Sequence, residues 1–177
     1  MKKILLILTM LTMSIMTFAN GGRITSQINT GMTRESLEKA INKNSIPELN
    51  IVYNANNGIY FYENVTDPLG ITREIASFNF VDNKLSSAIF DSPSTDQVHK
   101  EIYDYYVKNQ KKFQDKFTIM KDDKHQYLLM YNNNITLVVE KIIAPNREKR
   151  TFITVHKATP EIISLRIEMF NNLKENR

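Results

Sequence analysis

Glu74-Ile75-Ala76-Ser77-Phe78-Asn79-Phe80-Val81-Asp82-Asn83-Lys84-Leu85-Ser86-Ser87-Ala88-Ile89-Phe90 is the stretch from which the fold can be read. Ala76, Phe78 and Phe80 alternate with Ile75, Ser77, Asn79 and Val81, the period of two that sends one set into a core and the other to the opposite face. Asp82-Asn83-Lys84 is turn chemistry, and residues 85–90 return as a second strand. An antiparallel pair therefore lies at the centre of the expected architecture.

Towards the N-terminus, residues 49–53 and 59–65 are rich in β-branched and aromatic side chains, with the hairpin signal Asn56-Asn57-Gly58 between them. Thr66-Asp67-Pro68-Leu69-Gly70 is a turn-rich connection to the next strand. A short helix precedes the strands. Thr33 is its N-cap, Met32 and Leu37 stand at staple spacing, and Leu37, Ala40 and Ile41 share one face. Glu35 suits the positive end of the helix dipole, and Pro47 ends the helical pattern.

Towards the C-terminus, Ser92-Pro93-Ser94-Thr95-Asp96-Gln97 is the clearest interior boundary, with Ser94 and Gln97 at capping-box spacing. Val98, Ile102, Tyr105, Tyr106, Asn109, Phe113 and Phe117 then predict one side of a helix of about 20 residues, the longest in the chain. Strands follow at 117–120, 126–131, 135–143 and 151–156, with Asn132-Asn133-Asn134 and residues 144–149 as turns. Thr159 and Pro160 open a last helix, with Ile162, Leu165, Ile167, Met169, Phe170 and Leu173 as its apolar face.

The order is helix, four strands, helix, four strands, helix. This predicts an α+β fold of antiparallel sheet with helices packed on one face. Residues 31–177 form either a single domain with one larger sheet or two α-β-β-β-β units in tandem, 31–92 and 93–177. No residue-for-residue repeat joins the two halves.

The chain starts with Met1-Lys2-Lys3, an apolar run over 4–11, and Thr17-Phe18-Ala19-Asn20. That pattern predicts a cleavable secretory signal peptide over 1–19, with a periplasmic or secreted destination of bacterial type and no lasting membrane anchor. The apolar run is short for a membrane helix, though an uncleaved anchor is the alternative. Residues 20–30 are polar and aperiodic and read as a flexible arm. Cleavage leaves about 160 residues, enough for a core without staples. No cysteine occurs, which excludes disulfides, thiolate metal sites, a cysteine nucleophile and the lipid anchor of a bacterial lipoprotein.

The formal net charge of +4 includes Lys2 and Lys3. The remaining bases are interspersed with acids, apart from Lys108, Lys111, Lys112 and Lys116, so a nucleic-acid partner is not expected. His99, His125 and His156 form no paired metal-ligand spacing. No Gly-x-Ser-x-Gly elbow occurs, and the glycines at 21, 22, 31, 58 and 70 are too dispersed for a phosphate loop. No cofactor is implied. Glu140, in an apolar strand, is either an outward-facing residue or a buried acid with a raised pKa. Tyr53, Tyr60 and Tyr62 on the first hairpin and Tyr103 and Tyr106 on the long helix are the candidate partner-binding residues, with core filling as their other reading.

The segment with Gly31-Met32-Thr33, residues 28–41, resembles the opening of the BamE/SmpA-like and β-lactamase-inhibitor-protein-like (BLIP-like) families. Residues 78–85 look like their strand, turn, strand ending. The resemblance implies a short capped helix across an antiparallel sheet, and a non-catalytic module that binds other proteins of the cell envelope. Two features depart from those families: Asn42-Lys43-Asn44-Ser45-Ile46-Pro47 replaces their Gly-x-Pro turn, and the lipid-bearing cysteine of the assembly members is missing.

The leading expectation is thus an exported binding module with an envelope or secreted protein as partner. Two alternatives stand beside it. One is a hydrolase or isomerase in which His125 or His156 meets Glu140 or Asp122 in three dimensions, and the other is a small-ligand carrier. Oligomeric state is not legible.

Overall fold

The computed structural model describes residues 22–42, 45–113 and 116–175; the expected signal peptide lies outside them. In chain order the elements are α1 (Arg34–Ile41), β1 (Ile51–Asn54), β2 (Asn57–Thr66), β3 (Thr72–Val81), β4 (Lys84–Pro93), α2 (Asp96–Asn109), β5 (Thr118–Asp122), β6 (Tyr127–Tyr131), β7 (Ile135–Ile143), β8 (Lys149–Lys157) and α3 (Pro160–Glu175). All eight strands join one antiparallel sheet in the order β1-β2-β3-β4-β8-β7-β6-β5. The α+β class is as expected. Two four-stranded meanders meet through their last strands, with Phe90 opposite Ile153 and Ala88 opposite Val155.

Alternation decides which face each residue takes. Ala76, Phe78, Phe80, Ala88 and Phe90 share a core with Leu37 of α1 and with Ile102, Tyr103 and Tyr106 of α2. Phe78 stands edge-on to both Tyr62 and Phe90, at 5.5 Å and 6.0 Å between ring centres, a favourable quadrupole arrangement. At the β3–β4 turn Asp82 and Asn83 both take positive φ, 50° and 56°. That pair matches the right-handed strand twist, as a two-residue hairpin requires.

The last helix corrects one expectation. α1 and α2 pack on one face, whereas α3 lies on the other, where Phe170 packs with Tyr127, Leu129 and Val138. The cause is the run Tyr127-Leu128-Leu129-Met130 in β6, which is apolar on both sides. Leu128 and Met130 enter the core under α2, and Leu129 needs a cover of its own.

Other boundaries also move. α2 ends at Asn109 in a 3-10 turn, Gln110–Lys112, so α3 is the longest helix among the described residues. The N-cap of α2 is Thr95, whose hydroxyl accepts from Val98 N at 3.2 Å, and not Ser94. The described part of the expected arm is packed: Ile24 and Ile28 are core residues, and Gly22 N donates to Thr30 Oγ1 at 2.7 Å. A Cβ on Gly22 would fall 2.0 Å from Ile135 Cγ2, so only glycine lets this segment lie against β7.

A buried ion pair closes the β2–β3 loop. Arg73 Nε donates to Asp67 Oδ2 at 2.9 Å, while Asp67 Oδ1 accepts from the amides of Leu69 and Ile71. Asp67 is fully buried, and these bonds satisfy a charge that would otherwise be costly there.

Candidate functional site

The face that carries α3 has two parts. Register places Phe61, Ser77, Ile89, Thr154, Val138 and Leu129 in one row across the sheet. A second row runs Glu63, Ile75, Asp91, Phe152, Glu140. α3 covers Val138 and Leu129 at one end. At the other end, over β2, β3 and β4, Ile59, Phe61, Ile75 and Ile89 remain partly exposed, and so does Phe152 of β8.

At the border of the covered part lies a cleft of about 580 Å³ between the β5–β6 turn, β7 and α3. Ile142, Met169 and Leu173 give it apolar walls. Lys124, His125, Gln126 and Tyr127 come from the turn and the start of β6, and Glu140 and Lys141 from β7. A volume of this size suits a small organic ligand.

The turn is held from both sides. Asp122 Oδ1 accepts from the amides of Lys124 and His125 at 2.9 Å and 3.2 Å, and His125 Nδ1 donates to Asp122 Oδ2 at 2.8 Å. The bond to His125 leads the effects that hold the Asp122 carboxyl below its usual range. In the neutral ring Nε2 is then the basic nitrogen. Gln126 takes φ +54°, an uncommon conformation for a residue with a side chain.

His99 fixes that conformation from below. Its Nε2 lies 3.0 Å from the Gln126 carbonyl, which only accepts, so Nε2 carries the proton. Burial lowers the His99 pKa and keeps the ring neutral. Nδ1, 2.9 Å from Thr151 Oγ1, then accepts from that hydroxyl, and Ser94 Oγ, 2.9 Å further on, donates to Thr151. His99 is fully buried. Its spacing with Ile102, Tyr103 and Tyr106 could have shown this, since 99, 102, 103 and 106 share a helical face.

Glu140 faces inward beneath α3. Burial pushes its carboxyl above the usual range against the pull of Arg166, 3.9 Å away. His156, two rows along, is pushed down to about 4 by burial, with Arg166 adding to the effect. Burial, supported by the Glu140 charge, raises the Tyr127 hydroxyl to about 12. No hydrogen bond of good geometry reaches that hydroxyl, nor Gln126 Oε1. His125 and Glu140 therefore share one cleft, while no serine or threonine hydroxyl is bonded to His125 among the described residues. No group of three or more histidine, aspartate or glutamate side chains converges as a metal site among the described residues.

The five candidate tyrosines do not form one surface. Tyr53 is exposed on the edge strand β1. Tyr60 and Tyr62 turn into the core, where Tyr62 Oη donates to Glu38 Oε1 at 3.1 Å and the Arg34 guanidinium sits 4.0 Å above the Tyr60 ring. Tyr103 and Tyr106 lie under α2, with Tyr103 Oη donating to Asp123 Oδ1 at 2.7 Å. Core filling accounts for these four, because alternation in β2 and the inner face of α2 both direct them inward.

No protein-family model, curated protein or solved structure matches the chain.

Proposed function

We propose that the chain is a non-catalytic binding module that offers the uncovered half of its sheet to a protein partner. The observation that carries this reading is the row from Phe61 to Ile89, bordered by Ile59, Ile75 and Phe152, on a face that α3 leaves open. Ser77 and Asp91 interleave with these apolar side chains, yet five large apolar groups on an open face are more than water alone calls for, and exposed apolar patches mark interaction surfaces. The Gly31-Met32-Thr33 turn, which caps a short helix packed on an antiparallel sheet, supports the resemblance to envelope-binding families. Export by a cleaved signal peptide belongs to the same proposal, with an envelope or secreted protein as partner.

The test is affinity capture from envelope and medium fractions with the wild-type chain and with a Phe61→Glu/Ile89→Glu variant. A partner retained by the wild type and lost by the variant supports the sheet face; equal retention by both removes it.

One observation favours a second reading. The Asp122-oriented His125 shares a cleft with the desolvated Glu140, the pairing expected of a carboxylate and histidine hydrolase or isomerase. Turnover of any ester, glycoside or phosphate ester that disappears in His125→Asn would establish it, and a wild type inert across such a panel would count against it.

A further inference from the structure

We propose that the cleft beneath α3 binds a small amphipathic carboxylate, with its head held by Tyr127, Gln126, Lys124 and Lys141 and its aliphatic tail along Ile142, Met169 and Leu173. This goes beyond the sheet-face reading and does not rest on it.

Three independent features converge. The first is a pair of incompletely bonded polar groups. Tyr127 is 4% exposed and lines the cleft, and its hydroxyl, with Arg166 and Glu140 as charged neighbours, makes no hydrogen bond of good geometry. Gln126 Oε1 is equally unpaired on the same wall. Buried polar atoms left without partners are costly and are normally satisfied. A carboxylate accepts from the tyrosine hydroxyl, and with its amide turned Gln126 offers Nε2 hydrogens at the same place.

The second feature is charge. Lys124 is exposed on the cleft rim and makes no ion pair among the described residues. Lys141 pairs with Asp96 at 3.1 Å, but Asp96 also holds Lys149 at 2.5 Å. Lys141 can therefore turn to a ligand without leaving Asp96 alone, and the exposed bridge it gives up is a weak one. The inner acid, Glu140, already faces Arg166. Asp96 lines the cleft too, but Lys141 and Lys149 share it and Arg166 faces Glu140, which leaves Lys124 as the rim charge that draws an anion.

The third feature is shape. The walls are apolar where they leave the polar turn, and unbranched Met169 can adapt to a tail of variable length. The cleft, at about 580 Å³, has room for a medium-chain acid.

The test is calorimetric titration of the whole chain at neutral pH and low salt with decanoate, decanol and decylamine, each below its micelle concentration. Decanoate is expected to bind one to one and at least about tenfold more tightly than either analogue. Lys124→Glu/Lys141→Glu should weaken decanoate about tenfold, and Tyr127→Phe by severalfold, with melting curves confirming that each variant is folded. The lysine substitutions are at the surface and keep the test usable if the tyrosine variant unfolds. Absence of saturable binding up to about 1 mM, parity between decanoate and decylamine, or an unchanged affinity in the double lysine variant would overturn the site. A Phe61→Glu/Ile89→Glu chain that loses a protein partner but still binds decanoate would separate this site from the sheet face.

Discussion

His99 uses both ring nitrogens inside the protein, so its removal strands the Thr151 hydroxyl and the Gln126 carbonyl in a dry place. His99→Ala should lower unfolding free energy by about 3 kcal/mol in urea titrations, from lost packing and unpaired polar groups. It should also release the Gln126 turn, seen as faster amide exchange over residues 122–127. Buried histidines set the pH response as well. His156 is held near 4 and His99 is lowered, both chiefly by burial. The unfolded chain takes up these protons near pH 6.5, before the folded chain does. Stability is therefore whole above about pH 6.5 and falls as pH drops towards 4. For His156 alone the loss is on the order of 2–3 kcal/mol. Urea midpoints at pH 7 and 4.5 should show it, and His156→Gln should remove much of the difference. Sequence alone could not reveal these roles, because each histidine is isolated along the chain and acquires its partners from strands or turns far away. Glu140 was undecided for the same reason: β7 alone does not say that a later helix will cover it.

At the scale of elements, the strands were readable because residues such as Phe78 and Phe80 obey a period of two, and residues 135–143 match β7 to the residue. The side taken by α3 was not readable. An apolar helical face states that something must be covered, not which face of a sheet asks for it. Phe170 is the anchor of that contact, 6.0 Å from the Tyr127 ring. Phe170→Ala should cost about 3–4 kcal/mol and loosen β6 and β7 while sparing β2 and β3, measurable by hydrogen exchange. The packing of the N-terminal segment is hidden for a related reason: its polar, glycine-containing composition masks Ile24 and Ile28, which dock only once Gly22 can approach β7. Gly22→Ala should destabilise by roughly 1–3 kcal/mol in the same assay, since the added methyl overlaps Ile135.

For the whole molecule, the sheet has two free borders among the described residues, β1 and β5. β1 is the hazardous one: Ile51, Val52 and Tyr53 are 46%, 58% and 66% exposed, with no charge in the strand. Such edges invite pairing with another chain. Val52→Lys should slow concentration-dependent association, read by light scattering, while changing stability by no more than about 0.5 kcal/mol.

The seam between β4 and β8 joins residues as far apart in sequence as Asp91 and Arg150, whose side chains bridge it at 2.8 Å. A chain emerging from its N-terminus can assemble the first meander early, yet must leave β4 unzipped until β8 has been made. Closure of the seam is thus a late event in its biogenesis, and any stalled fragment that stops short of β8 carries a sticky, half-finished ribbon.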